Sequence, residues 1–254
     1  MVKLQKLMTE MINMKLTGND IVLFSGDSIT EGNRVLRMDC NHVMGHGYQY
    51  IVAAELALRY SAEQPKFVNK GYSGYSMPQI LEKWQEDVID NKPTVLSILA
   101  GVNDGHQGCM SGKTVAEVAE TYSKSLDTAI KSAKDNLPGI RVMVLEPFFF
   151  PLDRSDLTYR YTPNLECEGD FTRPDTNDTE EQIAYRVEAI HLIRRAAKEI
   201  AEANGAVFVP LYDIFKEEIA KSRPEYFIWD GTHPTITGHA LIAREWLKAF
   251  LSNP

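Results

Sequence analysis

A serine, an aspartate and a histidine occupy positions from which they could together form an activated nucleophile. Ser28 lies in Gly26-Asp27-Ser28-Ile29, directly after the apolar run Ile21-Val22-Leu23-Phe24. A buried strand that gives way to a turn there would present the serine hydroxyl at the open end of a sheet. Far along the chain, Asp230-Gly231-Thr232-His233 carries a carboxylate and an imidazole three positions apart. That spacing lets one loop hold both groups, with the imidazole as base and the carboxylate as its orienting partner. Each piece alone is common: serine is a frequent turn former, and a lone histidine is often a satisfied surface residue. Their joint occurrence carries the signal.

Two further blocks follow apolar runs in the same way. Asn69-Lys70-Gly71-Tyr72-Ser73-Gly74 comes after Phe67–Asn69, and Gly101-Val102-Asn103-Asp104 comes after Val95–Leu99. On spacing alone Asn103 reads as a turn residue, and Asp27 and Asp104 as side chains that hold loops by accepting from backbone N–H groups. Tyr72, Tyr75 and Met77 flank Gly74 and are expected to wall a pocket, together with His106 in the loop after Asn103 and Trp229 beside Asp230. Trp84 and Trp246 read as core. His239 is expected to be buried in the last helix in a supporting role. His42 and His46 have the spacing of paired metal ligands on a helix, but Gly45 and Gly47 argue against a helix there. No third ligand is evident, so no metal and no organic cofactor are expected.

The elements that must position these residues can be read from the hydrophobic pattern. The apolar runs Ile21–Phe24, Phe67–Asn69, Val95–Leu99, Arg141–Leu145 and Val207–Pro210 alternate with longer stretches of helical spacing. This is the pattern of βαβ units around a parallel sheet covered on both faces. Thr114 with Glu117, and Thr179 with Gln182, form capping-box signatures. The first precedes a stripe at Val118, Tyr122, Leu126, Ala129 and Ala133, and the second a helix running to Asn204-Gly205. Pro78 suits the first turn of a helix through Ile80, Leu81 and Trp84, and the last helix is expected to begin near Pro234. The stretch 151–178, with prolines at 151, 163 and 174, interrupts the alternation. It reads either as a solvated excursion or as a flap or homo-oligomer contact beside the site. No repeat or linker divides the chain, so one domain over residues 1–254 is expected.

Composition narrows the classes. With 44% hydrophobic and 24% charged residues the chain has an ordinary globular balance. Its formal charge of −8 argues against a nucleic-acid partner, which calls for a basic stripe. No run approaches the length of a membrane span, so no membrane partner is expected. Cys40, Cys109 and Cys167 lack the spacing of a disulfide framework or a zinc site and read as free thiols in a reducing compartment. The first nineteen residues, interrupted by Lys3, Lys6, Glu10 and Lys15, lack the apolar core of a signal peptide. A cytoplasmic location is expected.

Gly26-Asp27-Ser28, Gly74, Asn103 and Asp230…His233 resemble the four blocks of the SGNH hydrolases, or GDSL esterases, and the resemblance spans residues 21–239. The longer phrases Phe24–Thr30 and Trp84-Gln85-Glu86-Asp87-Val88 look closest to the carbohydrate acetyl esterase branch, which includes acetylxylan esterases. The resemblance implies a three-layer α/β/α sandwich with a five-stranded parallel sheet in flavodoxin-like order. It also implies that Ser28 attacks an ester carbonyl, His233 takes its proton, and Asp230 orients the imidazole. The Ser28 and Gly74 backbone N–H groups and the Asn103 amide would then form the oxyanion hole. The implied substrate is a small acyl ester, above all an acetylated saccharide. A lysophospholipase or thioesterase, and a non-catalytic carbohydrate-binding relic of the fold, are the competing readings.

Overall fold

The computed structural model describes residues 16–35, 40, 42–152 and 178–252. Residues 1–15, Cys167 and most of the 151–178 excursion (153–177) lie outside the described residues. Strands β1 (Ile21–Gly26), β2 (Lys66–Gly71), β3 (Val95–Leu99), β4 (Arg141–Leu145) and β5 (Val207–Val209) build one sheet in the order β2-β1-β3-β4-β5. Every neighbouring pair is parallel. This is the expected flavodoxin-like order. In it the chain winds one way to β2 and the other way to β3, β4 and β5. The reversal opens a crevice at the carboxyl ends of β1 and β3.

The strands are apolar throughout because both sheet faces are covered. Side chains alternate along β1: Val22 and Phe24 enter one apolar cluster and Leu23 the other. The first cluster takes in helices α2 (Tyr48–Arg59), α7 (Tyr212–Ile219) and α9 (Ile236–Ser252). The second takes in α3 (Met77–Glu82), α5 (Val115–Asn136) and α6 (Glu180–Ala203). Short helices α1 (Ser28–Glu31) and α8 (Pro224–Phe227) sit at loop corners, and α4 (Val102–Met110) follows β3. Among the described residues no helix is long and apolar enough to cross a membrane.

The sequence signals for α5 and α6 correspond to real caps. Glu117 N–H donates to Thr114 Oγ1, and Thr114 N–H donates back to the Glu117 carboxylate at 2.8 Å. Thr179 and Gln182 repeat the exchange. Each cap satisfies backbone donors that a helix start otherwise leaves unpaired. The predicted stripe from Val118 to Ala133 is buried along its whole length.

Two expectations require correction, while a third holds. The helix opened by Pro78 does not run on to Trp84 but ends at Glu82, and a π-helical turn follows over Gln85–Ile89. That wider turn accompanies burial of Asp87, which pairs with Lys70 at 3.0 Å. The last helix begins at Ile236, close to Pro234 as expected. The block after β3 is not a loop: α4 starts at Val102, so His106 lies on a helix, exposed. Gly105 and Gly108 look like helix breakers, yet they serve close packing. A Cβ on Gly108 would come within 2.2 Å of Val118 Cγ2 and 3.0 Å of Tyr185 Oη. Val118 is β-branched, stiff at χ1 and buried, and cannot easily swing away. Gly108→Ala is therefore expected to destabilise the fold by about 1–3 kcal/mol despite alanine's better helix propensity. Urea unfolding measures this, and Val118→Ala in the same chain should recover part of the loss.

Candidate active site

Two elements leaving the carboxyl edge bring the sequence-predicted residues together. β1 ends at Gly26, Asp27 caps α1, and Ser28 is the first residue of that helix. The Asp27 carboxylate accepts from Ile29 N–H at 3.0 Å, which makes the corner tight. Across the crevice, residues 228–235 fold back on themselves before α9. Trp229 N–H donates to His233 C=O at 3.0 Å, and Thr235 N–H donates to Phe227 C=O at 2.8 Å. This closed loop lifts Asp230 and His233 toward Ser28.

Ser28 Oγ lies 2.8 Å from His233 Nε2, and His233 Nδ1 lies 2.5 Å from Asp230 Oδ2. The second oxygen of Asp230 accepts the backbone N–H groups of Thr232 at 2.9 Å and His233 at 2.6 Å. A carboxylate on Nδ1 holds the proton there and leaves the Nε2 lone pair facing the serine hydroxyl. Asp230 is buried, which opposes its ionisation. The His233 hydrogen bond and charge, with the two backbone donors, outweigh burial and hold its carboxyl below the usual range. For His233, burial disfavours the imidazolium, but Asp230 and then Asp27 more than offset this and raise it above 6.5.

Opposite the serine, the loop after β2 carries Gly74 with φ +79°, a conformation side chains rarely tolerate, and with open space where a Cβ would project. Helix α4 holds this loop. Asn103 Nδ2 donates to Tyr75 C=O at 3.1 Å, and one turn later Gln107 Nε2 donates to Gly74 C=O at 2.8 Å. Sequence reading missed Gln107. Its i, i+4 relation to Asn103 is visible only once residues 102–110 are known to be helical. The first residue of a helix has no intrahelical acceptor for its N–H, so the Ser28 N–H is available from α1.

Behind these groups lie two buried carboxyls. Burial pushes Asp27 up to about 6 and Asp104 up to about 7, and each is partly compensated by a backbone donor. The Asp104 donor is Met77 N–H at 3.0 Å, which ties the start of α3 to α4. The loop-holding roles expected for both aspartates match these bonds. His239 Nδ1 accepts from Tyr48 N–H, and burial lowers it to about 3, keeping the ring neutral. Among the described residues, no three His, Cys, Asp or Glu side chains gather as metal ligands would.

The expected pocket walls divide. Trp229 is 39% exposed, with its ring 6.2 Å from that of His233. Tyr72 and Tyr75 stack at 5.0 Å beside Gly74. The guanidinium of Arg34 and the ammonium of Lys83 lie over the Tyr72 ring. Burial, and then Asp87 beneath, push the Tyr72 phenol up to about 12. Met77 has no exposed surface and packs in the second apolar cluster, so it supports the wall from behind instead of facing the opening. The physical reason is its place at the first turn of α3, under the loop it was expected to line.

The GDSL-like lipase/acylhydrolase family profile matches residues 24–241. An acetylxylan esterase of Geobacillus stearothermophilus is 28% identical over 241 residues, covering 92% of this chain and 95% of that protein. The crystal structure of a Parabacteroides merdae protein described as a GDSL-like lipase superposes with a TM-score of 0.74 at 29% identity, covering 93% of this chain and 97% of that one. The structure of Axe2, an acetylxylan esterase of G. stearothermophilus, superposes with a TM-score of 0.72 at 25% identity, covering 93% and 96%. The match across most of the chain, on the sheet order that frames this crevice, makes the protein a member of the GDSL-like lipase/acylhydrolase family and a carboxylic ester hydrolase.

Proposed function

We propose that the chain acts as a single domain that removes small acyl groups, chiefly acetyl, from carbohydrate esters through a serine nucleophile. The observation that carries the reading is the unbroken line from Ser28 Oγ through the imidazole to the Asp230 carboxylate, at 2.8 and 2.5 Å. In this mechanism Ser28 Oγ attacks the ester carbonyl carbon while His233 Nε2 takes the hydroxyl proton. Asp230 holds the tautomer and stabilises the imidazolium. Negative charge then collects on the former carbonyl oxygen. The N–H groups of Ser28 and Gly74 receive it, together with the Asn103 amide hydrogen not committed to Tyr75. Collapse expels the sugar alkoxide, which takes the proton from His233. Water, deprotonated by the same imidazole, then cleaves the acyl-serine and restores the enzyme.

The acetyl-saccharide preference is supported by the acetylxylan esterases among the relatives and by the exposed Trp229 ring beside His233. Flat aromatic faces suit the apolar side of a sugar ring. The proposal takes the substrate as small and soluble, with neither a nucleic-acid nor a membrane partner.

Ser28→Ala is expected to lower kcat on p-nitrophenyl acetate by about four orders of magnitude or more while the circular dichroism spectrum is unchanged. Asn103→Ala should lose ~2.7–4 kcal/mol of transition-state stabilisation, about a hundredfold or more in turnover; wild-type turnover would remove Asn103 from the mechanism. Because the base must be neutral and its imidazolium is favoured, kcat/KM should climb with pH through an apparent pKa above 6.5, losing activity on the acid side. For the substrate class, acetate release from acetylated xylo-oligosaccharides should accompany preference for acetyl over octanoyl p-nitrophenyl esters. A strong preference for octanoyl would sink the acetylesterase reading in favour of a lysophospholipase or thioesterase.

A further inference from the structure

One buried cation stands against the Asp230–His233 turn from the opposite layer of the fold. Arg186, on α6, has a side chain only 10% exposed. Its Nη2 donates to Thr232 Oγ1 at 3.1 Å, and its Nη1 pairs with Asp178 at 2.5 Å. The guanidinium carbon lies 4.0 Å from the centre of the Phe149 ring, and with Phe149 and Asp230 Arg186 lines one small cleft. Its Nε is buried without a hydrogen-bond partner among the described residues. An unpartnered buried donor is costly, so a side chain placed this way is weakly explained by stability alone.

Thr232 is one of the two residues between the carboxylate and the imidazole, and its own N–H donates to Asp230 Oδ1 at 2.9 Å. Arg186 therefore grips the turn at its midpoint, one hydrogen bond away from the carboxylate. Its charge matters as well as its reach. Asp230 from the same turn and Asp27 from the corner after β1 both favour a charged imidazole, and Arg186 from α6 opposes it. His239, on α9, is within electrostatic range of the same ring and is neutral. Asp178 is the ion-pair partner of Arg186 among the described residues.

We infer that Arg186 is a positioning residue: its guanidinium holds Thr232, and through it the Asp230–His233 turn, in reacting geometry. This rests on the roles proposed above for Ser28, Asp230 and His233. An arginine serves here better than a lysine because its planar fork reaches Thr232 and Asp178 at once while its face lies on Phe149. Lysine would keep the charge and lose the fork.

The test is the pH dependence of kcat and kcat/KM on p-nitrophenyl acetate for Arg186→Gln, Arg186→Lys and Thr232→Val, beside wild type and Ser28→Ala. Arg186→Gln is expected to lower kcat about tenfold or more, as small misplacements of reacting groups do. It should also move the acid limb of kcat/KM upward, because the opposing charge is gone. Arg186→Lys should lose kcat yet keep the acid limb near that of wild type. Thr232→Val removes the contact from the other side and leaves Arg186 charged, so it should lower kcat with the acid limb in place, even if Arg186→Gln fails to fold. Wild-type kcat in Thr232→Val, or an unmoved acid limb in a folded Arg186→Gln, overturns the inference. Full activity in Ser28→Ala would instead defeat the serine mechanism itself, whatever the Arg186 variants do.

Discussion

A carboxylate almost out of reach of water, Asp230, has to be supplied with donors, and the architecture around the crevice meets that requirement. Isolated in an apolar site, such a group would take up a proton. Here two backbone N–H groups of its own turn and the imidazole of His233 surround it, and it stays ionised. The turn that supplies them holds its shape through Trp229 N–H on His233 C=O and Thr235 N–H on Phe227 C=O. Movement that broke those bonds would leave a buried charge uncompensated, which is expensive enough to keep the turn in one conformation.

The same logic extends across the carboxyl edge of the sheet. Asp27 and Asp104 are buried, accept from the backbone N–H groups of Ile29 and Met77, and sit at the corners after β1 and β3, where the winding of the chain reverses. Glu146, just beyond β4, accepts from Leu211 and Tyr212 N–H and pairs with Arg194 at 2.7 Å. Each carboxyl replaces water for backbone groups that leave the sheet without a strand partner. The crevice is thus framed by buried acids with assigned partners, and its rigidity follows from the cost of losing any of them.

The two faces of the site differ in origin. The Ser28 side is local: a strand, a capping aspartate and the first residue of a helix, all within eight positions. The opposite side is assembled from distant parts, with α4 holding the Gly74 loop through Asn103 and Gln107, and α6 reaching Thr232 through Arg186. Tyr72 is built in similarly, between Tyr75, two cations and a carboxyl that the π-helical turn buries.

Much of this was legible in the residues, for reasons that separate the successes from the misses. Strand positions followed from continuous apolar runs, because a parallel sheet buried on both faces leaves no polar alternation to confuse them. The α5 and α6 starts followed from caps whose partners lie within three residues. Local chemistry also drew attention to Ser28, Asp230 and His233. Where a residue's role depends on what lies across a packed interface, the pattern misled or fell silent. The stretch around His106 read as a loop and is helical, with Gly105 facing Ala189 and Gly108 facing Val118; Met77 suggested a pocket wall and lies in the core; Gln107 and Arg186 gave no signal. The sequence by itself determined the elements, their caps and the reactive residue types, since these rest on interactions spanning a few positions. Only the tertiary structure decided that Ser28 and His233, 205 positions apart, come within hydrogen-bond reach, and which side chains hold them there. That outcome depends on how helices pack on the two faces of the sheet, a property of the whole chain that no local window contains.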